Sequence, residues 1–91
     1  MALAHIRVHY TEKITNEELA QMVGLSVRQF EKRFKALFQT SVHQYILRLR
    51  ILRSCDMIIA REMQFSDIAI TLGFYDQSAF TAKFKQVMGV T

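Results

Sequence analysis

Proline and tryptophan are absent from this 91-residue sequence, and glycine occurs only three times. Because proline and glycine are the residues that most often interrupt helices, their scarcity predicts a chain that is nearly all helix. The single cysteine, Cys55, excludes an internal disulfide, and we expect it to be a small buried apolar residue on a helix. No apolar run approaches the roughly 20 residues that cross a bilayer, and the sequence lacks the pattern of a signal peptide, so we expect a cytosolic protein.

The charge balance and its distribution limit the possible partners. The formal net charge is +4, which permits a polyanionic partner without requiring one. Between Ser26 and Leu37 the chain has four Lys and Arg residues against one acidic residue, Glu31, a local surplus of three positive charges. With 51% hydrophobic residues, a chain of this length can bury one small core, and we expect a single domain.

A pattern that occurs twice is the most informative feature of the sequence. Each copy predicts a short helix, a tight turn opened by glycine and a second helix with apolar residues at four-residue spacing, which is a helix-turn-helix. The copies are offset by 49 positions before the turn and by 50 after it, so they differ by one residue in the turn. Two such units in one small all-α domain are typical of a protein that reads duplex DNA. The first copy is Glu18-Leu19-Ala20, Gly24-Leu25, Phe30 and Phe34-Lys35, and the second is Asp67-Ile68-Ala69, Gly73-Phe74, Phe80 and Phe84-Lys85.

Capping residues mark five of the six helix starts that we predict. Capping boxes join a side chain at the N-cap to one three residues later, and we expect them at Thr15 with Glu18, Ser26 with Gln29 and Ser41 with Gln44. Ser66 and Asp76 are expected to cap the last two helices, with Phe65 packed on Ile70 and Tyr75 on Phe80 as hydrophobic staples. The predicted helices span residues 2–11, 16–23, 27–38, 42–61, 67–72 and 77–88.

The fourth predicted helix differs from the others because its apolar residues point in nearly every direction, which a surface helix could not sustain. We therefore expect it to be a linker helix buried between the first unit and the second, so that two homeodomain-like three-helix units share one core. The predicted organisation is residues 1–40 for the first unit, 41–61 for the linker helix and 62–91 for the second unit. The apolar residues are Val42, Tyr45, Ile46, Leu47, Leu49, Ile51, Leu52, Cys55, Ile58 and Ile59.

The third helix has the form of a recognition helix. At about 100° per residue, Phe30, Phe34 and Leu37 fall on one face, which we expect to point inward. Cations lie roughly opposite, with Glu31 at their edge, and arginine is suited to bidentate pairing with guanine. A cationic helix face that is merely solvated is the alternative, and the duplication of the whole unit weighs against it. The outward residues are Arg28, Glu31, Lys32 and Lys35.

The sixth helix is the second candidate for recognition, with a less cationic outward face. We expect Phe80, Phe84 and Val87 to be buried. Glutamine can read adenine, hydroxyls can bond phosphates or base edges, and an alanine methyl can touch thymine. The outward residues are Gln77, Ser78, Thr81, Ala82 and Lys85. A linker helix of about 20 residues is about 30 Å long, and adjacent major grooves are about 34 Å apart, so we expect a monomer to bind an asymmetric site.

Other chemistries are weakly signalled. His5 and His9 have the spacing that can place two imidazoles on one side of a helix for a metal ion, but the pattern offers no carboxylate or cysteine to complete a site. No nucleophile, base and orienting residue are signalled together, and no phosphate-binding glycine loop is present, so we expect no enzyme, no metal and no cofactor. The alternative function is a helical protein-interaction module that docks its cationic helix on an acidic partner.

A set of residues across both units carries a specific resemblance. The second unit has Asp67-Ile68-Ala69, Leu72-Gly73-Phe74, Asp76-Gln77-Ser78, Phe80, Phe84-Lys85 and Gly89-Val90-Thr91. Before it come Leu19-Ala20, Ser26, Phe30, Arg33-Phe34-Lys35, Tyr45-Ile46 and Arg50. Together they resemble the C-terminal DNA-binding domain of AraC/XylS-type transcription regulators. The resemblance implies seven helices, two recognition helices in successive major grooves, transcription activation by contact with RNA polymerase, and a place at the bacterial nucleoid.

By position, the resemblance also implies which residues face the groove. In the first recognition helix they are Arg28, Glu31 and Lys32, and in the second they are Gln77, Ser78, Thr81 and Ala82. Two departures from the family stand out. Gln39 occupies a place after the third helix where the family usually has glycine, so we expect a local difference there. The sequence stops at Thr91, before the proline and Tyr-Arg segment of the family's last helix. The chain is therefore either an excised domain or akin to the family's short members that work without a sensor domain, and we expect the excised domain, whose parent can dimerise through another domain.

Overall fold

The computed structural model describes residues 2–89, and the all-α prediction is confirmed over that range, which contains no strand. Gly89 is the last described residue, so Val90 and Thr91 of the family signature lie outside the described residues. Helix α1 ends two residues earlier than predicted and α5 begins two residues earlier, whereas the others match within one residue. The six helices are α1 (Ala2–His9), α2 (Asn16–Met22), α3 (Val27–Phe38), α4 (Val42–Ala60), α5 (Phe65–Thr71) and α6 (Gln77–Met88).

The helix starts follow the capping chemistry of the sequence at four of the five expected positions. Both hydrogen bonds of the capping box are present at Thr15 and again at Ser26. The Ser41 hydroxyl accepts a hydrogen bond from the backbone N–H of Gln44 at 3.2 Å, and the Asp76 carboxylate accepts one from the backbone N–H of Ala79 at 2.8 Å. These bonds satisfy N–H groups that have no partner within the helix.

The start of α5 was predicted wrongly. Its N-cap is Gln64, which makes no side-chain capping bond, and the helix begins at Phe65, so Ser66 lies within the first turn. Placing Phe65 inside the helix lets its ring pack on that of Phe80, with 4.8 Å between centroids. Aromatic packing therefore outweighs the serine cap. Both expected staples are also wrong, because Ile70 is 62% exposed and Tyr75 is 91% exposed.

The described chain divides into two compact units, of which the first ends at Ile46 and the second starts at Leu47. In the first unit, the ring of Phe34 packs against the rings of Phe30, Phe38 and Tyr45. Leu37, expected on the inward face, is instead 76% exposed. The inward face of α3 is formed by Phe30, Phe34 and Phe38, which recur at four-residue spacing, and Leu37 lies outside that face. The buried apolar residues of this unit are Ile6, Leu19, Ala20, Phe30, Phe34, Val42 and Ile46.

The core of the second unit is centred on Phe80, which is completely buried. Its ring lies within 6 Å, centroid to centroid, of the rings of Phe65, Phe74 and Phe84. Phe84 and Val87, expected to be buried, are half-buried. The other buried residues of this unit are Ile51, Ser54, Ile68, Ala69, Leu72 and Phe74.

Helix α4 is less enclosed than its composition predicts. Leu52 and Ile59 are exposed, so the expectation that this helix is covered on every side is wrong at these positions. Cys55 is half-buried, and its Sγ donates to the carbonyl of Ile51 at 3.6 Å. The division at Ile46 falls within α4, and the single domain with a shared linker helix stays a prediction.

Candidate nucleic-acid interface

The turns that precede α3 and α6 have the same hydrogen-bonded geometry. After α2, the N–H of Gly24 donates to the carbonyl of Gln21 and the N–H of Leu25 to that of Ala20, at 3.2 and 3.0 Å. After α5, Gly73 and Phe74 repeat these two bonds, each at 3.0 Å. Both sets form the Schellman motif, in which the first residue beyond the helix is left-handed. Gly24 has φ 70° and Gly73 has φ 91°, values that other residues adopt only with strain.

The single-residue difference between the copies is Tyr75. Leu25 and Phe74 are equivalent in the two motifs, but Ser26 caps α3 directly after Leu25, whereas Asp76 caps α6 only after Tyr75. The side chain of Tyr75 is 91% exposed and stands immediately before the start of α6. The change in offset from 49 to 50 signals this insertion but does not by itself identify the inserted residue.

The predicted polar face of α3 is exposed. Arg28, Glu31, Lys32 and Lys35 all lie at the surface. The carboxylate of Glu31 does not stand alone, because its Oε2 accepts a hydrogen bond from the Asn16 side-chain nitrogen at 2.6 Å. Asn16 begins α2 and was not among the predicted site residues. The contact spans 15 positions of the chain, so no local pattern could have revealed it.

The polar face of α6 is exposed at four of the five predicted positions. Gln77, Ser78, Ala82 and Lys85 lie at the surface, whereas Thr81 is half-buried. Thr81 occupies the position equivalent to Glu31 in the first copy. Its smaller exposure gives the two helix faces different shapes as well as different charges.

Helices α3 and α6 end in the same way despite different residues. Gln39 has φ 61° and ψ 21°, and Gly89 has φ 73° and ψ 20°. Each donates its backbone N–H four residues back, to Lys35 at 2.8 Å and to Lys85 at 3.0 Å. The expected local difference after α3 is therefore absent. Gln39 adopts the left-handed conformation, and its side-chain nitrogen donates to the carbonyl of Ala36 at 3.3 Å.

Arg50 of α4 braces the second turn. Its Nη1 donates to the carbonyl of Gly73 at 3.0 Å, and its guanidinium carbon lies 5.6 Å from the ring centroid of Phe74. Burial lowers the pKa of the Arg50 guanidinium, although arginine keeps its charge in proteins. Arg50 is among the residues that carry the family resemblance, but the sequence pattern predicted no role for it. Its cation stabilises the turn through this hydrogen bond and the contact with the ring of Phe74.

The histidine pair of α1 has carboxylates closer than the sequence pattern suggested. His9 Nδ1 lies 2.9 Å from the carboxylate of Glu12, and His5 Nε2 lies 3.8 Å from that of Glu18. The two imidazole rings face each other with 4.5 Å between centroids. Even so, no set of three or more His, Cys, Asp or Glu side chains among residues 2–89 is placed to hold a metal ion. In the same range, no helix has the length and apolar character needed to cross a membrane.

Comparisons with known proteins agree with this geometry. A family model described as a helix-turn-helix domain matches residues 19–91. The chain is 32% identical over 87 residues to the "Probable transcriptional regulator LumQ" of Photobacterium leiognathi, an alignment that covers 96% of this chain and 35% of that protein. The chain spans about a third of the length of the curated relatives it matches.

Two solved structures have the same fold. One is a transcriptional regulator from Chromobacterium violaceum, described as an AraC-type DNA-binding domain-containing protein, with a TM-score of 0.90 and 24% identity, covering 99% of this chain and 80% of that one. The other is the DNA-binding domain of AdpA in complex with a target DNA, with a TM-score of 0.87 and 23% identity, covering 99% and 81%.

Proposed function

This chain belongs to the AraC-type family of helix-turn-helix domains found in DNA-binding transcription regulators, and from this premise we propose that it binds double-stranded DNA sequence-specifically through α3 and α6. The observation that carries the proposal is the repeated turn. Two Schellman motifs of the same geometry each lead into a capped helix whose buried side is aromatic and whose other side is polar and exposed. A helix held in this way can enter a major groove while its aromatic side anchors it.

In the first unit, we assign base reading to Arg28 and Glu31, in the first two turns of α3, and phosphate contact to Lys32 and Lys35. Arg28 is the second residue of the helix, and the N-terminal residues of a recognition helix are those that reach base edges. Its guanidinium can pair with guanine O6 and N7. Lys32 and Lys35 are exposed cations further along the helix and supply attraction to phosphates.

In the second unit, the beginning of α6 carries amides and hydroxyls in place of cations. Gln77 and Ser78 are the first two helical residues, and Gln77 can pair with adenine N6 and N7. Ala82 and the partly exposed Thr81 supply apolar and hydroxyl contacts, and Lys85 supplies a charge for phosphate. We therefore assign more of the ionic affinity to the first unit.

We further propose that both helices engage one duplex in successive major grooves, with the domain acting as a monomer on an asymmetric site. The duplicated turn and capped helix support this proposal, because each unit then offers one helix to a groove. Contact with RNA polymerase in the bacterial cytoplasm, and dimerisation through a part of a longer protein, complete the proposal for transcription control.

A salt titration tests DNA binding against docking on an acidic protein. If about six phosphates are neutralised, the logarithm of the binding constant should fall with the logarithm of the salt concentration with a slope near −5. Fluorescence anisotropy with a labelled duplex from a random-pool selection measures this slope. The selected duplex should bind at least about a thousandfold more tightly than a scrambled one. A slope near zero, or equal affinity for both duplexes, would refute the proposed function.

A further inference from the structure

The hydrogen bond between Asn16 and Glu31 joins the start of α2 to the exposed face of α3. Asn16 Nδ2 lies 2.6 Å from Glu31 Oε2. An ionised carboxylate has no proton to donate, so the amide nitrogen must be the donor and the direction of the bond is fixed. One carboxylate oxygen of Glu31 is thus occupied by Asn16, and the other, Oε1, is left as an acceptor.

The backbone of Asn16 is fixed at a capped helix start. It is the first residue of α2, directly after Thr15, whose capping box with Glu18 is complete. Together with Glu31, Asn16 lines a recess of about 290 Å³ whose other walls are Lys35, Ser41 and Val42. The amide therefore stands at a capped helix start and is hydrogen-bonded to the carboxylate beside it in the lining of this recess.

On the basis of the proposed function, we propose that Asn16 is a positioning residue that determines what α3 reads through Glu31. By holding Oε2, it fixes the direction in which Oε1 points. Oε1 can only accept, as both oxygens of a carboxylate do, so at that place it selects a base that offers an amino group in the major groove, cytosine N4 or adenine N6. The same hydrogen bond restrains the negatively charged Glu31 side chain, so that its carboxylate does not move close to the DNA phosphates. A base that offers only acceptors at this place, guanine or thymine, is disfavoured.

The second unit supplies an internal comparison. The position equivalent to Asn16 is Phe65, whose ring packs on Phe80, and the position equivalent to Glu31 is the half-buried Thr81. Both members of the pair are thus replaced together in the copy. Selection of a base through an oriented carboxylate is therefore a property of α3 alone, and variants of the pair should leave the bases read by α6 unchanged.

The direction of the hydrogen bond can be reversed without changing the net charge. In Glu31→Gln the two side chains are both amides, which can pair in either direction, so either a donor or an acceptor is presented and discrimination is lost. In Asn16→Asp two carboxylates face each other and repel. In the double variant N16D/E31Q, the carboxylate introduced on α2 can only accept a hydrogen bond. The amide introduced on α3 must then donate through its nitrogen and present its oxygen outward, as Glu31 does in the native chain.

The experiment is a random-pool selection with the native chain, both single variants and the double variant, followed by affinity measurements on duplexes that differ at the affected base pair. Each single variant should lose about five- to a hundredfold of the preference for the amino-bearing base. The double variant should recover it to within about threefold of the native value. The preferences at all other base pairs should stay the same in every variant, and the double variant should keep the native thermal midpoint. A merely structural role for the bond would change the midpoints of the single variants and leave their base preferences as in the native chain.

Three results would overturn the inference: unchanged base preferences in the single variants, changes at different base pairs in the two single variants, or a double variant no better than either single. If the native chain enriches one site and any of these follows, only the role of Asn16 fails. If the native chain enriches no sequence at all, the proposed function fails and this inference falls with it.

Discussion

Phe80→Ala should destabilise the second unit more than any exposed substitution can. Phe80 is fully buried, and three rings surround it at centroid distances of 4.8, 5.3 and 5.9 Å. Truncating a buried phenylalanine costs about 3 to 5 kcal/mol, because apolar transfer energy is lost and a cavity remains. The upper half of that range is expected here, since each aromatic pair adds about 0.5 to 1.5 kcal/mol beyond area burial. A 91-residue chain has a total stability of about 5 to 14 kcal/mol.

Urea unfolding followed by circular dichroism at 222 nm measures this loss, and a thermal scan should show a midpoint at least about 10 °C lower. Tyr75→Ala is the matched control, because it removes an aromatic ring five positions earlier from a site that is 91% exposed. The control should change stability by less than about 0.5 kcal/mol. A loss below about 1 kcal/mol for Phe80→Ala, or equal losses for both variants, would refute the assignment of Phe80 as the centre of the core.

Five further substitutions address the turns and the proposed interface. Gln39→Gly should stabilise the chain by roughly 0.5 to 1 kcal/mol, because Gln39 has a left-handed backbone that glycine adopts without strain. Gly89→Ala should cost a similar amount from its left-handed backbone alone, since an added Cβ there meets no atom within 4 Å. Urea unfolding of both variants measures these two changes of opposite sign. Arg28→Ala should cost about 1 to 3 kcal/mol of binding free energy and relax the sequence preference at one base pair. Lys85→Ala should instead lower the affinity for all duplexes alike. An unchanged sequence preference in Arg28→Ala would contradict its base-reading role. Arg50→Met should cost about 1 to 2 kcal/mol of stability, measured by urea unfolding, because the carbonyl of Gly73 loses its guanidinium donor; no loss would show that the turn needs no brace.

Features that depend on neighbours within four residues could be read from the sequence. The capping bonds of Thr15, Ser26 and Asp76 join residues three apart, and the repeat alone locates both turns. The all-α fold follows from these starts together with the apolar spacing. Such signals are local, and the chain that carries them has few alternatives to a helix at these places.

Features that depend on where a second element lies could not be read in the same way. A helical wheel gives the angle of Leu37 but not the width of the surface that covers α3, and Leu37 falls outside that surface. Aromatic contacts drew Phe65 into α5 and displaced the start that Ser66 predicted. The bond from Asn16 to Glu31 crosses between helices, so the candidate site was predicted as a set of outward residues without the partner that orients one of them.

The placement of Tyr75 shows where a duplicated reading unit can change its length. The Schellman motif is complete at Phe74 and the cap of α6 begins at Asp76, so the added residue sits in the gap between two self-contained local structures and disturbs neither. The corresponding junction in the first unit, between Leu25 and Ser26, is a natural point for a designed insertion. Chimeras extended at that junction would lengthen the turn before α3 while the Schellman motif and the Ser26 cap kept their hydrogen bonds.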